Sequence, residues 1–293
     1  MLDAASRRGI GGVVATHPST VRWLLCGRGR PVVEGTASYT LLVGSGEPVV
    51  LFPDNESSRV TAEERFEELG YRTEPFPWYE GPDAALADLA AGYASDADLE
   101  GEIAALRREL RPEELARYRR AAQAAAEAMV ETVGAVEPSW TELDTAAELG
   151  AALRKRGFGT PVLLVAGESR QGVHRHPLPT GSPLGRRALL ATSADREGLY
   201  VSLTRLVSFG PPPPRLERVT RISAEVDAAM LAASRPGTPV NQVLRAAADA
   251  YERLGFPEEW RRHHQGGIAG YAGREVIATP ADATPLPRSG AVA

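Results

Sequence analysis

The side chains best suited to proton transfer or ligand binding in this sequence are its histidines. Four of the five fall in two pairs. His174-Arg175-His176-Pro177 precedes a stretch of β-favouring residues, and His263-His264-Gln265-Gly266-Gly267 opens a glycine-rich segment. In an extended segment side chains alternate, so His174 and His176 are expected on one side. Imidazole is charged or neutral near physiological pH, which suits it to acid–base catalysis and to metal binding. One loop histidine is most simply read as a surface hydrogen-bonding group. Two pairs, each beside glycine or proline turns, favour a common site. His17 stands alone in His17-Pro18-Ser19 and is read as part of a turn.

The segment Leu199–Phe209 reads as a strand with two distinct faces. Leu199, Val201, Leu203, Arg205, Val207 and Phe209 form one, and Tyr200, Ser202, Thr204, Leu206 and Ser208 the other. The second face is solvated or lines a pocket. Arg205, among apolar neighbours, needs a carboxylate or carbonyl partner if it is buried. Gly266, Gly267, Gly270 and Gly273 lack the strand-then-helix context of a phosphate loop. They are expected to make bulges or to let backbone approach closely. No G-x-S-x-G elbow supports a serine nucleophile.

The elements that must position these residues follow from periodicity. Val13–Ala15, Tyr39–Val43 and Val49–Phe52 read as strands, with a hairpin turn at Gly44-Ser45-Gly46. Residues 59–70 read as a helix stopped by Gly70. Pro112 starts a helix whose apolar face is Leu115, Tyr118, Ala122, Ala125, Met129 and Val133. Ser139-Trp140-Thr141-Glu142 has capping-box spacing for a helix that ends near Gly157. Val162–Ala166 is a buried-strand candidate, and Ala188–Ser193 with Leu199–Phe209 reads as a hairpin. After Pro211–Pro214, one helix carries Leu216, Val219, Ser223, Val226 and Met230. Another, begun at Thr238-Pro239 and ended at Gly255, carries Val240, Val243, Leu244, Ala247, Tyr251 and Leu254. The helix-helix-strand block thus occurs twice, over 112–166 and 215–278. A domain boundary is expected near residue 110.

Composition narrows the function classes. The chain has 293 residues and ordinary apolar and charged fractions, so a substantial core is expected. No apolar run is long enough for a transmembrane helix, and the N-terminus lacks a signal-like apolar stretch, so no membrane is expected and a cytoplasmic protein is. The net charge of −5, without a basic stripe, argues against nucleic acid. Cys26 is the only cysteine, so no internal disulfide forms. Lys155 is the only lysine, which excludes a Schiff-base or P-loop lysine elsewhere. The Ala, Gly, Pro and Arg content suggests a high-GC bacterial gene.

Several segments together resemble the creatinase / aminopeptidase P / prolidase superfamily, the M24 peptidases of pita-bread fold. Thr16–Gly27 resembles the family's Asn-(Ile/Val)-x-(Tyr/Trp)-Leu-x-Gly segment. Gly198-Leu199-Tyr200-Val201-Ser202-Leu203-Thr204-Arg205 resembles its Gly-Tyr-x-Ser-Asp-x-Thr-Arg strand, with Gly210 matching the glycine that ends it. His263–Pro280 resembles its His-Gly-x-Gly-His-x-x-Gly…Glu-x-x-x-x-Pro segment. The resemblance implies an α+β protein. A smaller α/β creatinase-type domain over 1–110 would precede a pita-bread domain over 111–293. The family's last glutamate strands would follow Ala293, which leaves open whether the C-terminus is trimmed. Homodimers are usual in the family.

The same resemblance places the family's two metal-binding aspartates on Ala191 and Ser202, and its ligand histidine near Gly270. No metal and no cofactor is therefore expected. Creatinase-like members use a histidine for proton transfer without metal. On that resemblance His176 is the acid–base group, and His263 or His264 orients or polarises the scissile group. His174, Ser202, Thr204, Arg205 and Arg274 are substrate-binding candidates. The expected activity is metal-independent hydrolysis of a C–N bond in a small amide, guanidino or Xaa-Pro substrate. Two other readings stand beside it: a catalytically inactive homologue that binds a small ligand or partner, and a single zinc held by His174, His176 and His263 or His264.

Overall fold

The structure, a computed structural model, describes residues 1–33, 36 and 38–292. The chain forms two compact units, Met1–Arg107 and Arg108–Ala293.

The first unit is built on one mixed sheet. In chain order its elements are α1 (Leu2–Arg7), β1 (Gly12–Ala15), α2 (Pro18–Leu24), β2 (Thr40–Gly44), β3 (Val49–Pro53), α3 (Ser57–Arg59), β4 (Arg72–Phe76), α4 (Asp83–Leu89) and β5 (Tyr93–Ser95). The strand order is β4-β3-β2-β1-β5, with β3/β4 and β1/β5 parallel. Leu41, Val50 and Phe52 bury one sheet face with Val21, Leu25, Val60 and Phe66. The helix expected over 59–70 is instead a succession of short turns, because Arg65 adopts a left-handed conformation (φ 47°) in its middle. His17-Pro18-Ser19 is the start of a helix. Pro18 occupies its first turn, where a missing N–H costs nothing. Buried Asp96 accepts the backbone N–H groups of Thr16 and His17 and so fixes the entry to α2.

α5 (Glu100–Arg108) leads to the second unit. There α6 (Pro112–Ala135) and α7 (Glu142–Lys155) precede β6 (Gly159–Gly167), β7 (Arg187–Arg196) and β8 (Leu199–Ser208). The chain continues through α8 (Pro214–Ala233), α9 (Val240–Arg253), β9 (Gly267–Ala269), β10 (Val276–Ile277) and β11 (Ala291–Val292). Strands β6-β7-β8 form an antiparallel sheet, and β10-β9-β11 a second. Alternation gives the first sheet two faces. Val165, Ala188, Leu190, Ala194 and Val201 point into a core shared with Ala121, Ala125, Ala128 and Met129 of α6 and Leu149, Ala152 and Leu153 of α7. The buried stripe of α6 is centred on Ala121, Ala125, Ala128 and Thr132, so the expected face is rotated slightly. Small alanines there bring the helix close to the sheet.

On the opposite face the register aligns Val162, Ser193 and Ser202 in one row, and Leu164, Ala191 and Thr204 in the next. In the smaller sheet α9 buries Val240, Val243 and Leu244 against Ile268 and Val276. No helix among the described residues is long and apolar enough to cross a membrane.

The glycine-rich segment earns its glycines by backbone proximity. A Cβ on Gly267 would lie 1.9 Å from the Val276 carbonyl oxygen across the β9/β10 pair. Gly267→Ala is therefore expected to destabilise the protein by about 1–3 kcal/mol, the usual cost of overpacking. Urea unfolding of the variant should show a lowered midpoint; an unchanged midpoint would mean the strands separate freely.

Candidate functional site

The outward rows of the β6-β7-β8 sheet form the floor of a cavity of about 920 Å³. Val162, Leu164, Ala191, Ser193, Ser202 and Thr204 line the floor, and His176, His263, His264, Gln265, Tyr251 and Arg274 are among its walls. Ser202 Oγ lies 3.1 Å from Ser193 Oγ, so the two hydroxyls are linked across the strands.

The loop between β6 and β7 carries His176, and it is held from below by Glu142. This carboxylate is fully buried. Oε1 accepts the Gly167 N–H at 2.9 Å. Oε2 accepts the Thr180 N–H at 2.9 Å and its hydroxyl at 2.7 Å, and it pairs with the Arg170 guanidinium. Burial alone would raise the pKa of Glu142. The donors and the Arg170 charge more than offset this, and hold it below its ordinary value. The loop is further sewn down by Leu184 N–H to Trp140 O at 2.8 Å and Val165 N–H to Pro177 O at 3.2 Å. With Glu142 turned inward, the capping box of α7 is Thr141 with Asp144, two residues on from the expected Ser139 and Glu142.

The second histidine pair arrives from α9. Gln265 donates to the carbonyls of Trp260 at 3.1 Å and His263 at 2.7 Å, and accepts from Tyr251 Oη at 3.2 Å. Arg175 pairs with Glu259 at 3.1 Å and links the two histidine-bearing segments. As an exposed pair it adds at most about 1 kcal/mol. Between these segments His176 Nε2 and His263 Nε2 stand 3.0 Å apart.

Proton positions follow from the partners. His263 Nδ1 lies 2.7 Å from the His264 carbonyl oxygen, which only accepts, so Nδ1 carries a hydrogen. With both rings neutral, His263 Nε2 is then an acceptor and His176 Nε2 is its donor. That leaves His176 Nδ1 as the basic end of the chain. His264 stacks on His263 with ring centroids 4.1 Å apart. Partial burial of its ring, then the neighbouring His263, Arg274 and His176, lower its pKa, so it is neutral at pH 7.

The structure therefore brings His176, His263, His264, Ser202, Thr204 and Arg274 to one cavity. His174 is exposed and outside it, since residues 170–173 form a turn and the expected alternation does not hold. Arg205 also lies outside it. On the edge strand β8 it reaches solvent and, among the described residues, donates only to the Thr204 carbonyl at 2.8 Å. Glu142, Gln265, Tyr251 and Arg175 were not among the expected site residues. The sequence spacing puts Tyr251 in the apolar stripe of α9, and only its hydroxyl distinguishes it.

A family model described as metallopeptidase family M24 matches residues 116–287. Among solved structures, the chain superposes on an X-Pro aminopeptidase from Thermotoga maritima MSB8 with a TM-score of 0.78 and 17% identity, over 98% of this chain and 85% of that one. A prolidase from Pyrococcus horikoshii OT3 gives 0.76 and 16%, over 99% and 87%. The N-terminal domain of the FACT complex subunit SPT16 from chickpea gives 0.70 and 12%, over 99% and 83%. At these identities the likeness is one of fold. No curated protein matches the chain.

Replacing Glu142 tests the support of the histidine loop. Glu142→Gln leaves Arg170 without its counter-charge and is expected to cost about 3 kcal/mol. The pH dependence has a definite sign. The native carboxylate has a lowered pKa, so its stabilisation is full above the ordinary value of 4.5 and is lost as pH falls through the native value. Denaturation followed from pH 7 downward should show this acid limb in the parent and a flatter one in the variant.

Proposed function

The chain belongs to metallopeptidase family M24, and from that premise we propose that it is a metal-independent hydrolase related to the Xaa-Pro peptidases and creatinases of the pita-bread fold. It cleaves a C–N bond in a small amide, guanidino or Xaa-Pro substrate by histidine acid–base chemistry. The observation that carries this reading is the His263–His176 hydrogen bond at the cavity wall, with His176 Nδ1 left as its free basic end. In the same reading the smaller domain, 1–110, is of creatinase type, and the protein works as a cytoplasmic homodimer without cofactor, membrane or nucleic acid.

The residues present do not suit a pair of divalent ions. No Asp, Glu or Cys lines the cavity among the described residues. Ala191 has no donor atom, and Ser202 offers a neutral hydroxyl already linked to Ser193. Hard divalent cations need carboxylate-rich oxygen sets. Nor do three His, Cys, Asp or Glu side chains form a metal-holding group among the described residues. Two of the three imidazoles at the cavity spend their Nε2 atoms on each other.

The chemistry then falls to the chain's own groups. His176 Nδ1 takes a proton from water as the water oxygen attacks the substrate's trigonal carbon. The imidazolium so formed keeps its Nε2–H on His263, whose orientation the His264 carbonyl fixes. The same proton passes from Nδ1 to the leaving nitrogen as the C–N bond breaks. Ser202 and Thr204, on the floor, bind and orient the substrate, and neutral His264 polarises the scissile group. A positioned acid–base group supplies about 10²–10⁴-fold of rate, so orientation and electrostatics supply the remainder.

Two measurements test this. A screen of creatine-like, N-acyl and Xaa-Pro compounds with chelator-treated protein should show turnover that added divalent ions do not raise. His176→Ala should lower that turnover by about 10²–10⁴-fold with the fold intact. Activity that vanishes on chelation and returns with metal would overturn metal independence. No turnover on any of these compounds would leave the chain a ligand-binding homologue.

A further inference from the structure

The charge lining the cavity has one sign. Its charged lining residues are Arg274 and Arg175, beside three imidazoles, with no carboxylate among the described residues that line it. Arg175 already has a partner in Glu259, which stands beside the cavity. Arg274 does not. Among the described residues no carboxylate comes within ion-pair distance of its guanidinium. Among the described residues its one hydrogen bond is from Nη1 to the Gly273 carbonyl at 2.5 Å, and its Nε is buried with no partner there. It lies close enough to His264 and Tyr118 to perturb both electrostatically.

Arg274 is also held in place. The Glu275 N–H bonds to Ile268 O at 2.8 Å, and the Ala272 N–H to Glu275 Oε1 at 3.0 Å, closing the turn between β9 and β10. The Tyr200 N–H bonds to Gly270 O at 2.9 Å and ties that turn to β8. The turn lies against the Tyr200 ring, where a Cβ on Gly273 would sit in van der Waals contact at 3.4 Å. A half-buried guanidinium on a fixed turn, without a counter-ion, is costly unless an anion completes it. Its planar fork matches a carboxylate in two parallel hydrogen bonds.

We propose that the cavity takes a small carboxylate carrying no protonated amine, with Arg274 as the group that pairs the carboxylate. A free ammonium would find no carboxylate among the described lining residues, and it would share the cavity with two guanidinium cations, Arg175 and Arg274. The ligand class is thus an N-acylated or otherwise amine-blocked acid, rather than a peptide with a free N-terminus. This deepens the hydrolase reading by naming its substrate class, and it rests on that reading only for the identity of the site; binding needs no turnover.

The test is calorimetric titration of the full chain at pH 7.5 with four probes: N-acetylglycine, its neutral amide N-acetylglycinamide, cationic glycinamide and inorganic phosphate. N-acetylglycine should bind at least about tenfold tighter than the amide, equivalent to about 1.4 kcal/mol, and glycinamide weakest. Arg274→Gln should abolish the preference for the acid, and Arg274→Lys should restore part of it. Equal binding of acid and amide, tighter binding of glycinamide or phosphate, an acid preference retained in Arg274→Gln, or no acid binding at millimolar concentration would each overturn the proposal. Circular dichroism melting checks the variants; should Arg274→Gln not fold, the ranking of the four probes on the parent protein decides. Binding as described without hydrolysis would remove the catalytic reading and leave this one standing.

Discussion

A single buried carboxylate organises the second unit. Glu142 begins α7, yet its side chain leaves the helix surface and receives four donors from the β6 end and the loop that follows it. A charge so placed is tolerable only when every acceptor site is filled. That requirement couples three things: where α7 starts, how the loop over 167–180 folds back, and where His176 comes to rest. Without the clamp the loop would be a surface segment of nineteen residues between β6 and β7, long enough to wander.

The second histidine segment reaches the same place by a different route. The end of α9 and the turn after it are fixed by Gln265, Tyr251 and the Arg175–Glu259 pair, none of them deeply buried. One wall of the cavity is therefore clamped, and the other is held by part-buried hydrogen bonds of Gln265 and by one exposed ion pair of small worth. The histidine pair spans the two. Its hydrogen bond is the place where the β6–β7 loop and the α9 segment share a proton, and no carboxylate lines the cavity among the described residues. On the proposed metal-independent reading, that lining suits a site worked by imidazoles, although the fold is that of the metallopeptidases.

Much of this was legible from the residues. The strands at 162–166 and 188–209, the helices after Pro112 and Thr238, and the two histidine pairs follow from periodicity, proline and spacing. What alternation in β8 predicted also appears, with Tyr200, Ser202 and Thr204 on the cavity face. The failures share a physical cause. Glu142 looks like a capping residue because a cap is a local interaction, whereas its real partners lie 25 to 38 residues away. Tyr251 looks like core because its ring is apolar, and only a hydroxyl partner 14 residues on reveals its other role. His174 fails because alternation needs an extended backbone, and a turn precedes it. Arg205 fails because an edge strand lets a long side chain escape to water.

The central claim is that His263 holds His176 with Nδ1 free to move a proton. It can be read directly from the imidazole nitrogens. Long-range ¹H–¹⁵N correlation spectra of the uniformly ¹⁵N-labelled protein at pH 8 report which nitrogen of each histidine bears hydrogen. The account predicts the Nδ1–H tautomer for His263, the rarer form in solution, and the Nε2–H tautomer for His176. Spectra showing both rings as Nε2–H tautomers would mean that no hydrogen bond joins them, and would contradict the account.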